Sequence, residues 1–249
     1  EKNRNYWKYL KAKLKKENSE MVSATTQLKL LANDGKRYLT DMLDYEGIIA
    51  LGKTFPGTKA NRFIEWFTFS PESIDGKSKT KAYALFETSF VYSIEVGTIK
   101  GLQQIHAYIF GGLYDFAGQL RTKNIAKGGY KFEYAQYLNS TLLQIDQMPE
   151  TNFGEIVEKF VAMNKAHPFM EGNGRSTRIW LDLLLKKQLK CCIDWSKISK
   201  ANYMNAMIIS TVDSSELNKL LKHALTSEIN SREMYMKGID YSYYYESEE

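Results

Sequence analysis

Residues Ala166–Arg178 read AHPFMEGNGRSTR, a glycine-rich turn placed directly before an amphipathic helical pattern. Pro168 and the glycines Gly172 and Gly174 interrupt a helix and let backbone amides approach a ligand closely. A glycine-rich turn that enters a helix N-terminus is an anion site, because unpaired N–H groups and the helix dipole both point at the ligand. The segment therefore predicts a site for phosphate groups.

Four side chains of this segment supply the groups that phosphoryl or nucleotidyl transfer needs. Arg175 and Arg178 are three residues apart, so they share a helix face and are able to bind phosphate oxygens bidentately. Glu171 offers a hard oxygen ligand suited to Mg²⁺, which would bridge the same phosphates. His167 can take a proton near neutral pH and is the candidate general base. From these residues alone, a glycine turn between helices with surface arginines stays open as the alternative.

Rival phosphate and metal motifs are missing from the sequence. A P-loop requires Gly-Lys-Ser/Thr, and here Gly174 is followed by Arg175. The chain has three histidines and no HExxH pattern, which gives a zinc hydrolase little support. His106 lies on an apolar predicted helix and is interpreted as a hydrogen-bonded core histidine.

The motif HPFMEGNGRSTR resembles the signature of the Fic (filamentation induced by cAMP) family, HPFx[D/E]GNGRxxR, at every specified position. Ala117–Arg121 is similar to the segment that enters the family's flap, and Ile125–Phe132 is similar to the flap itself. In all, roughly residues 84–249 resemble a Fic domain. The resemblance implies a mainly α fold, a helical core with a β-hairpin flap, that transfers AMP from ATP to a hydroxyl side chain of a protein.

The resemblance also implies roles for individual residues. His167 is the expected base, Glu171 is expected to hold Mg²⁺ on the α- and β-phosphates, and Arg178 is expected to contact the γ-phosphate. The flap is expected to bind a protein target with a Tyr, Thr or Ser hydroxyl by strand addition. The expected nucleotide-binding residues are Phe169, Gly172, Asn173, Gly174, Arg175 and Arg178, and the expected target-binding residues of the flap are Lys127, Gly128 and Gly129.

A shorter signal, SYYYE, runs from Ser242 to Glu246 near the end of the chain. The first and last of these residues are four apart and therefore share a helix face. The pattern resembles the family's autoinhibitory motif [S/T]xxxE[G/N], whose Glu pairs with the second motif arginine, here Arg178, and displaces the γ-phosphate. The sequence departs from that motif at Ser247, where Gly or Asn is usual. An inhibitory helix is therefore expected at about 240–246, and its tyrosines make self-modification an expected route of release.

The basic charge of the chain is concentrated in its first quarter. The net charge is +5 over 249 residues, and residues 1–70 hold 13 Lys and Arg against 8 Asp and Glu, so the remainder is neutral. This distribution favours a nucleic-acid or acidic partner, or else a solvated helix face at Lys2–Lys16. The segments QLKLLANDGKRYLTDML and FPGTKANRFIEWF resemble the N-terminal region of DNA-damage-inducible protein D and antirepressor-type proteins, which implies DNA or protein targeting.

Turn and spacing signals predict a small α+β module over residues 1–70. Thr26–Leu31 and Arg37–Met42 are strand-like and flank the hairpin signal Asn33-Asp34-Gly35. Segments 6–16 and 59–67 have the apolar spacing of helices.

Beyond this module the sequence predicts a linker and then a helical domain. Ser70–Lys81 is polar, contains Pro and Gly and lacks periodicity, which predicts a linker at 71–83 and a Fic domain at 84–249. Arg121–Phe132 predicts a hairpin split by two glycines. The predicted helices before the inhibitory one are Ala84–Ile94, Thr98–Ile109, Gln136–Ile145, Phe153–Asn164, Ser176–Leu189, Ser199–Ser210 and Ser214–Leu225.

Compartment signals favour the cytoplasm. No apolar run reaches the ~18 residues that a membrane span needs, so no membrane association is expected. The two cysteines, Cys191 and Cys192, are adjacent and cannot form a disulfide framework, as expected in a reducing compartment. The chain begins at Glu1 without an initiator Met, so upstream residues are expected to be missing.

The sequence thus predicts a protein adenylyltransferase that uses ATP and Mg²⁺ and is restrained by its C-terminal helix. Three alternatives stay open. A Fic-type kinase binds ATP inverted, but that branch typically alters the GNGR portion, which is intact here. Some family members remove AMP, and sequence does not separate the two directions. A DNA- or protein-binding regulator with a vestigial Fic domain is the third, and the complete motif argues against decay.

Overall fold

The chain divides into two compact units, Glu1–Ser70 and Pro71–Glu249. The residues that the computed structural model describes are 25–31, 36–43, 73–127 and 129–246.

The described part of the first unit is one antiparallel hairpin. Strand β1 (Thr25–Leu31) pairs with strand β2 (Arg37–Leu43) over seven residues each. Both predicted strands are therefore confirmed. The predicted turn at 33–35 and the predicted helices at 6–16 and 59–67 lie outside the described residues.

The second unit is mainly helical, which confirms the predicted fold class. The helices found in its described residues are α1 (Ile74–Glu87), α2 (Ile99–Phe110), α3 (Ala135–Asp146), α4 (Phe153–Ala166), α5 (Asn173–Leu189), α6 (Lys200–Ile209), α7 (Ser215–His223) and α8 (Arg232–Glu246). Two short antiparallel pairs accompany them. The pairs are β3 (Ala126–Lys127) with β4 (Tyr130–Lys131), the predicted flap hairpin, and β5 (Cys192–Ile193) with β6 (Leu225–Thr226).

Polar side chains determine where several helices begin. Thr98 Oγ1 accepts the Gly101 N–H at 3.0 Å at the start of α2, and Asn152 Oδ1 accepts the Glu155 N–H at 3.1 Å at the start of α4. Ser199 caps α6 in the same way. Each cap satisfies one of the N–H groups that a helix leaves unpaired, which contributes about 1 kcal/mol to stability.

Helix α5 lies at the centre of the second unit and contacts α2, α4 and α8. Its indole, Trp180, is fully buried and donates Nε1–H to the Thr98 carbonyl at 3.0 Å. Burial of a large apolar side chain contributes about 1.5–3 kcal/mol, so these contacts hold the helix firmly against its neighbours. The fully buried apolar residues of α5 are Trp180, Leu181, Leu184 and Leu185.

The predicted linker at 71–83 is wrong, because helix α1 begins at Ile74. Ser73 caps it by accepting the Gly76 N–H at 3.0 Å. The buried face of α1 combines Ser78 and Lys79 with Ala82 and Leu85, so no clear apolar periodicity marks it in the sequence. Its polar groups have tertiary partners instead: Ser78 is hydrogen-bonded to the Tyr243 hydroxyl, and Lys79 pairs with Asp240 at 2.9 Å.

Two further boundaries differ from the prediction. The helix expected at Ala84–Ile94 ends at Glu87, and a 3₁₀ turn follows at Ser89–Ser93. The C-terminal helix begins at Arg232 and not near residue 240. Its first half contains a glycine and several charged residues, so apolar spacing does not mark it in the sequence. Ser231 caps it by accepting the Met234 N–H at 3.1 Å, and the buried Tyr235 ring stacks on Phe86 with centroids 4.6 Å apart.

Candidate active site

The motif segment forms the turn between helices α4 and α5. His167 ends α4 in the left-handed region, with φ 49° and ψ 65°, a conformation that costs a non-glycine residue about 1–3 kcal/mol. Gly172 precedes α5 with φ 78°, and a Cβ there would collide with the Phe110 ring. The turn is therefore strained at the candidate base and depends on glycine at the entry to the helix.

The His167 imidazole is held as a neutral base. Its Nδ1 lies 3.0 Å from the Asn164 carbonyl, and because a carbonyl only accepts, Nδ1 carries the proton. The lone pair is thus on Nε2. The Phe132 ring stacks on the imidazole with centroids 3.7 Å apart and planes 14° apart. Burial lowers the pKa of His167 to about 4, so the ring is uncharged at neutral pH.

The start of helix α5 forms an anion site that already contains a carboxylate. Glu246 Oε1 accepts from Arg178 Nη2 at 2.6 Å, and a Cβ built on Gly174 would overlap this carboxylate. The Glu246 oxygens therefore lie against the first turn of α5, where unpaired N–H groups and the helix dipole attract negative charge. Ser242 completes the contact, since its hydroxyl and carbonyl oxygens accept from Arg178 at 2.8 and 2.9 Å.

Charge keeps this carboxylate ionised. Burial by itself would raise the pKa of Glu246, but Arg178 and Lys127 outweigh it and lower the pKa to about 2. The Lys127 ammonium contributes from the flap, with Nζ 3.4 Å from Glu246 Oε2. Burial opposes the charge of Arg178, and the neighbouring Glu246 more than offsets this and raises the Arg178 pKa.

Arg175, the first arginine of the motif, has a different set of partners. The Arg175 guanidinium is buried and pairs with Asp75 of helix α1 and with Glu171 Oε1, the latter at 3.1 Å. It also lies over the rings of Phe110 and Tyr243, 5.0 and 5.4 Å from their centroids. The spacing of the two arginines predicted that they would bind one group together. In this structure they do not, because Arg178 pairs with Glu246 whereas Arg175 pairs with Asp75 and Glu171.

Glu171 is the residue best placed to meet a metal ion. Its side chain is 57% exposed, and Oε1 accepts from the Gly172 N–H at 2.9 Å. Within 25–31, 36–43, 73–127 and 129–246, no group of three or more His, Cys, Asp or Glu is arranged to hold a metal. One accessible carboxylate fits Mg²⁺, which usually binds one or two carboxylates together with substrate phosphates.

Comparison with known proteins agrees with this geometry. Residues 97–185 match the model of the Fic/DOC family. Residues 97–185 therefore correspond to a Fic/DOC domain. The chain is 30% identical over 179 residues to protein adenylyltransferase VbhT of Bartonella schoenbuchensis, an alignment that covers 62% of this chain and 37% of that protein.

One further relative is similar in sequence, and one solved structure is similar in fold. Probable protein adenylyltransferase y4lH of Sinorhizobium fredii is 31% identical over 118 residues, which covers 43% of this chain and 61% of y4lH. The crystal structure of BepC from Bartonella tribocorum, which contains AMPPNP, matches with a TM-score of 0.53 and 18% identity over 61% of this chain and 84% of that one. The chain thus spans less than two thirds of the length of the curated relatives it matches.

The Fic domain keeps some expected nucleotide-binding side chains away from the site. Phe169 is fully buried and stacks on His106 with centroids 3.8 Å apart, so its side chain faces the core, and its expected part in nucleotide binding stays a prediction. Asn173 is 3% exposed, and its amide donates to the Phe169 carbonyl and accepts from the Phe169 N–H, both at 2.8 Å. Asn173 thereby satisfies the backbone N–H and carbonyl groups of Phe169, which lie outside regular secondary structure and need partners when buried. In the flap, Gly129 is exposed with φ 81°, while Gly128 lies outside the described residues.

The structure confirms the interpretation of His106 as a hydrogen-bonded core histidine. Its Nδ1 accepts the Gly118 N–H at 2.9 Å, so Nε2 carries the proton and donates to the Glu171 carbonyl at 2.9 Å. Burial lowers its pKa to about 4. The residue thus connects helix α2 to the turn that carries the motif.

Sequence reasoning missed three side chains that organise this site. Arg121 is buried and donates to the carbonyls of Ala166, His167, Lys123 and Glu133 at 2.5–3.0 Å, which ties both ends of the flap to the motif. The other two are Phe132, which stacks on His167, and Asp75, which pairs with Arg175. A basic residue beside a predicted hairpin was the only available signal for Arg121, and none marked Asp75, because its partner is 100 residues away.

Proposed function

We propose that this chain transfers AMP from ATP to a hydroxyl side chain of a protein, and that helix α8 restrains the transfer. The observation that carries the proposal is that one site contains both the neutral His167, with its Nε2 lone pair available, and an anion site at the start of α5. Relatives named protein adenylyltransferase support the same reaction.

In this reaction the target hydroxyl oxygen bonds to the α-phosphorus of ATP while the bond to pyrophosphate breaks. His167 Nε2 takes the hydroxyl proton, for which its neutral state is required. The start of α5 and Arg178 bind phosphate oxygens, so this chain contributes mainly orientation and charge stabilisation. Glu171 would hold Mg²⁺, which neutralises phosphate charge when bound.

The restraint follows from the position of Glu246. Its carboxylate pairs with the Arg178 guanidinium and lies against the first turn of α5, at the position where a phosphate would otherwise bind. Two anions cannot share that position without strong repulsion. We therefore infer that ATP binds productively only after the Glu246 side chain has moved.

Self-modification on helix α8 would require the helix to undock. The hydroxyl of Tyr243 is hydrogen-bonded to Ser78, and the hydroxyl of Tyr245 donates to the carbonyls of Trp195 and Ile198, all in buried surroundings. Tyr244 is only partly buried. Modification of any of these hydroxyls is thus proposed to follow release and to stabilise the released state.

Labelled ATP distinguishes this proposal from its alternatives. The purified chain and its Glu246→Gly variant are incubated with a bacterial lysate and ATP labelled on the α- or the γ-phosphorus, and modified proteins are identified by mass spectrometry. We expect the α-label on protein, more of it with the variant, and none with His167→Ala. A γ-label selects the kinase, loss of AMP from premodified proteins selects the reverse reaction, and no change selects a vestigial domain.

The proposals for the first unit rest on sequence alone. Its excess of basic residues and its antirepressor-like segments still favour a DNA or acidic partner, which fluorescence anisotropy with DNA at low salt would test.

The cytoplasmic setting likewise stays a prediction. In the part of the chain that the structure covers, no helix combines the length and apolar character of a membrane span.

A further inference from the structure

The flap hairpin presents one lysine to the active site. Lys127 of β3 lies directly opposite Tyr130 of β4, and Ala126 lies opposite Lys131. Directly opposite residues of an antiparallel pair point to the same face, so Lys127 shares a face with Tyr130 and Lys131 belongs to the other. The face of Lys127 is turned toward the site, since its Nζ lies 3.4 Å from Glu246 Oε2.

The ion pair between Lys127 and Glu246 is open to replacement. The Lys127 side chain is 69% exposed, whereas that of Glu246 is 26% exposed. Exposed pairs contribute little net stability, because water solvates both groups almost as well. A second carboxylate arriving from solvent can therefore take the place of Glu246 at Lys127 with little loss.

An aromatic path connects this face of the flap to the base. The Tyr130 ring meets the Phe132 ring edge-on with centroids 5.3 Å apart, and Phe132 stacks on the His167 imidazole. A chain that lies along the Lys127 face is thus directed toward Nε2 of His167.

The flap carries positive charge without an acidic residue of its own. Residues 121–132 contain one Arg and three Lys and no Asp or Glu. Lys123, Lys127 and Lys131 are exposed. The next carboxylate, Glu133, is engaged by the Tyr134 N–H and the Thr141 hydroxyl at 2.8 and 3.2 Å. The surface that a target approaches is therefore basic.

We propose that the target of this chain is an extended protein segment with Asp or Glu two residues from the modified hydroxyl, and that this carboxylate binds Lys127 in place of Glu246. The segment adds to the flap as a strand, and side chains two residues apart in a strand point to the same face. The hydroxyl that faces His167 and the carboxylate that faces Lys127 are then on one side. The inference rests on the proposed AMP transfer and defines its substrate class.

The same contact connects target binding to release of α8. In the closed state Lys127 is one of the cations that hold the Glu246 carboxylate. An acidic target withdraws this cation, so its binding weakens the docking of α8, whereas a neutral target leaves it in place.

The test is a charge swap between flap and target. The Glu246→Gly chain is incubated with lysate and α-labelled ATP, the labelled sites are mapped, and the most strongly labelled protein is purified. Its acidic residue two positions from the acceptor is changed to Lys, and labelling rates are measured with Glu246→Gly alone and combined with Lys127→Glu or Lys131→Glu. Lys131 is the matched control, because it lies on the opposite face of the same hairpin.

We expect the target change to lower the labelling rate about two- to fivefold, the range of one accessible ion pair. Lys127→Glu should restore it on the swapped target and lower it on the original, and Lys131→Glu should do neither. An unchanged rate on the swapped target, failure of Lys127→Glu to restore it, or a main site with no acidic residue two positions away would overturn the inference. Absence of AMP on every protein would instead refute the proposed reaction.

Discussion

The two ends of the site are in opposite states. At the base end, His167 is neutral, carries its proton on Nδ1 and is fixed by the Phe132 stack. At the anion end, Arg178 and the first turn of α5 are occupied by a carboxylate of the same chain. The base end is ready to react and the anion end is closed.

Under the proposed function, this difference indicates where control of the reaction acts. A chain that regulated its base would need to shift a proton or turn a ring, and His167 requires neither. Occupation of the phosphate position leaves the base intact and needs only one side chain of α8 to move. Mutations at the two ends are therefore expected to change different quantities, namely the transfer rate at the base end and productive nucleotide binding at the anion end.

The largest effect is expected at the base end. His167→Ala in the Glu246→Gly background should lower the rate of AMP transfer about 10²–10⁴-fold, because no other side chain of the motif offers an uncharged basic nitrogen. The affinity for ATP, measured by calorimetry, should stay within about twofold, since a neutral imidazole contributes little to phosphate binding. Equal turnover of the two proteins would remove His167 from the mechanism.

At the anion end, Glu246→Gly should raise AMP transfer about 10- to 100-fold over the wild type. A charge-assisted hydrogen bond contributes about 1.5–3 kcal/mol, and its loss frees Arg178 for phosphate. Transfer to a fixed protein substrate at subsaturating ATP measures the change.

Two variants control this result. Glu246→Gln keeps the shape of the side chain without its charge and should activate less than Glu246→Gly. Arg178→Ala should abolish the activation, because both residues act through one phosphate contact. Wild-type activity as high as that of Glu246→Gly would show that the carboxylate does not inhibit.

A smaller effect should follow from removing the ring that stacks on His167. Phe132→Leu in the Glu246→Gly background removes a ring stack that contributes about 0.5–1.5 kcal/mol, so the transfer rate should fall roughly three- to tenfold with the KM for ATP unchanged. Phe132→Tyr keeps the stack and should retain the rate. A loss that appears in KM for ATP would instead assign Phe132 to the anion end.

The smallest effect is expected from pH between 6 and 8. The pKa of His167 is lowered to about 4, so the Glu246→Gly variant should transfer AMP at a constant rate in this range and lose activity only toward pH 4. The lowered pKa of Glu246 means that its pairing with Arg178 is fully present above the usual carboxyl pKa and is lost only as the pH falls through about 2. Initial rates across the range test both points. Activation of the wild type at pH 5–6 would contradict the value for Glu246.

Local patterns in the sequence predicted much of this molecule. The hairpins follow from turn residues, helices α2 to α7 from apolar spacing, and the motif turn from Pro168 and the glycines around Asn173. The tautomer of His167 and the stack of Phe132 were not readable, because they depend on a carbonyl and a ring placed by the turn and the flap.

By itself the sequence determined which groups are present: a candidate base, two guanidiniums, a candidate metal-binding carboxylate, a flap and an SxxxE helix. Tertiary structure alone decided how they pair. Arg178 meets Glu246 from 68 residues away and Arg175 meets Asp75 from 100 residues away, while Phe169 turns into the core. Such pairings depend on how α8 packs on α1 and α5, and the mixed polar and apolar buried faces of α1 and α8 leave no clear periodic signal in the sequence.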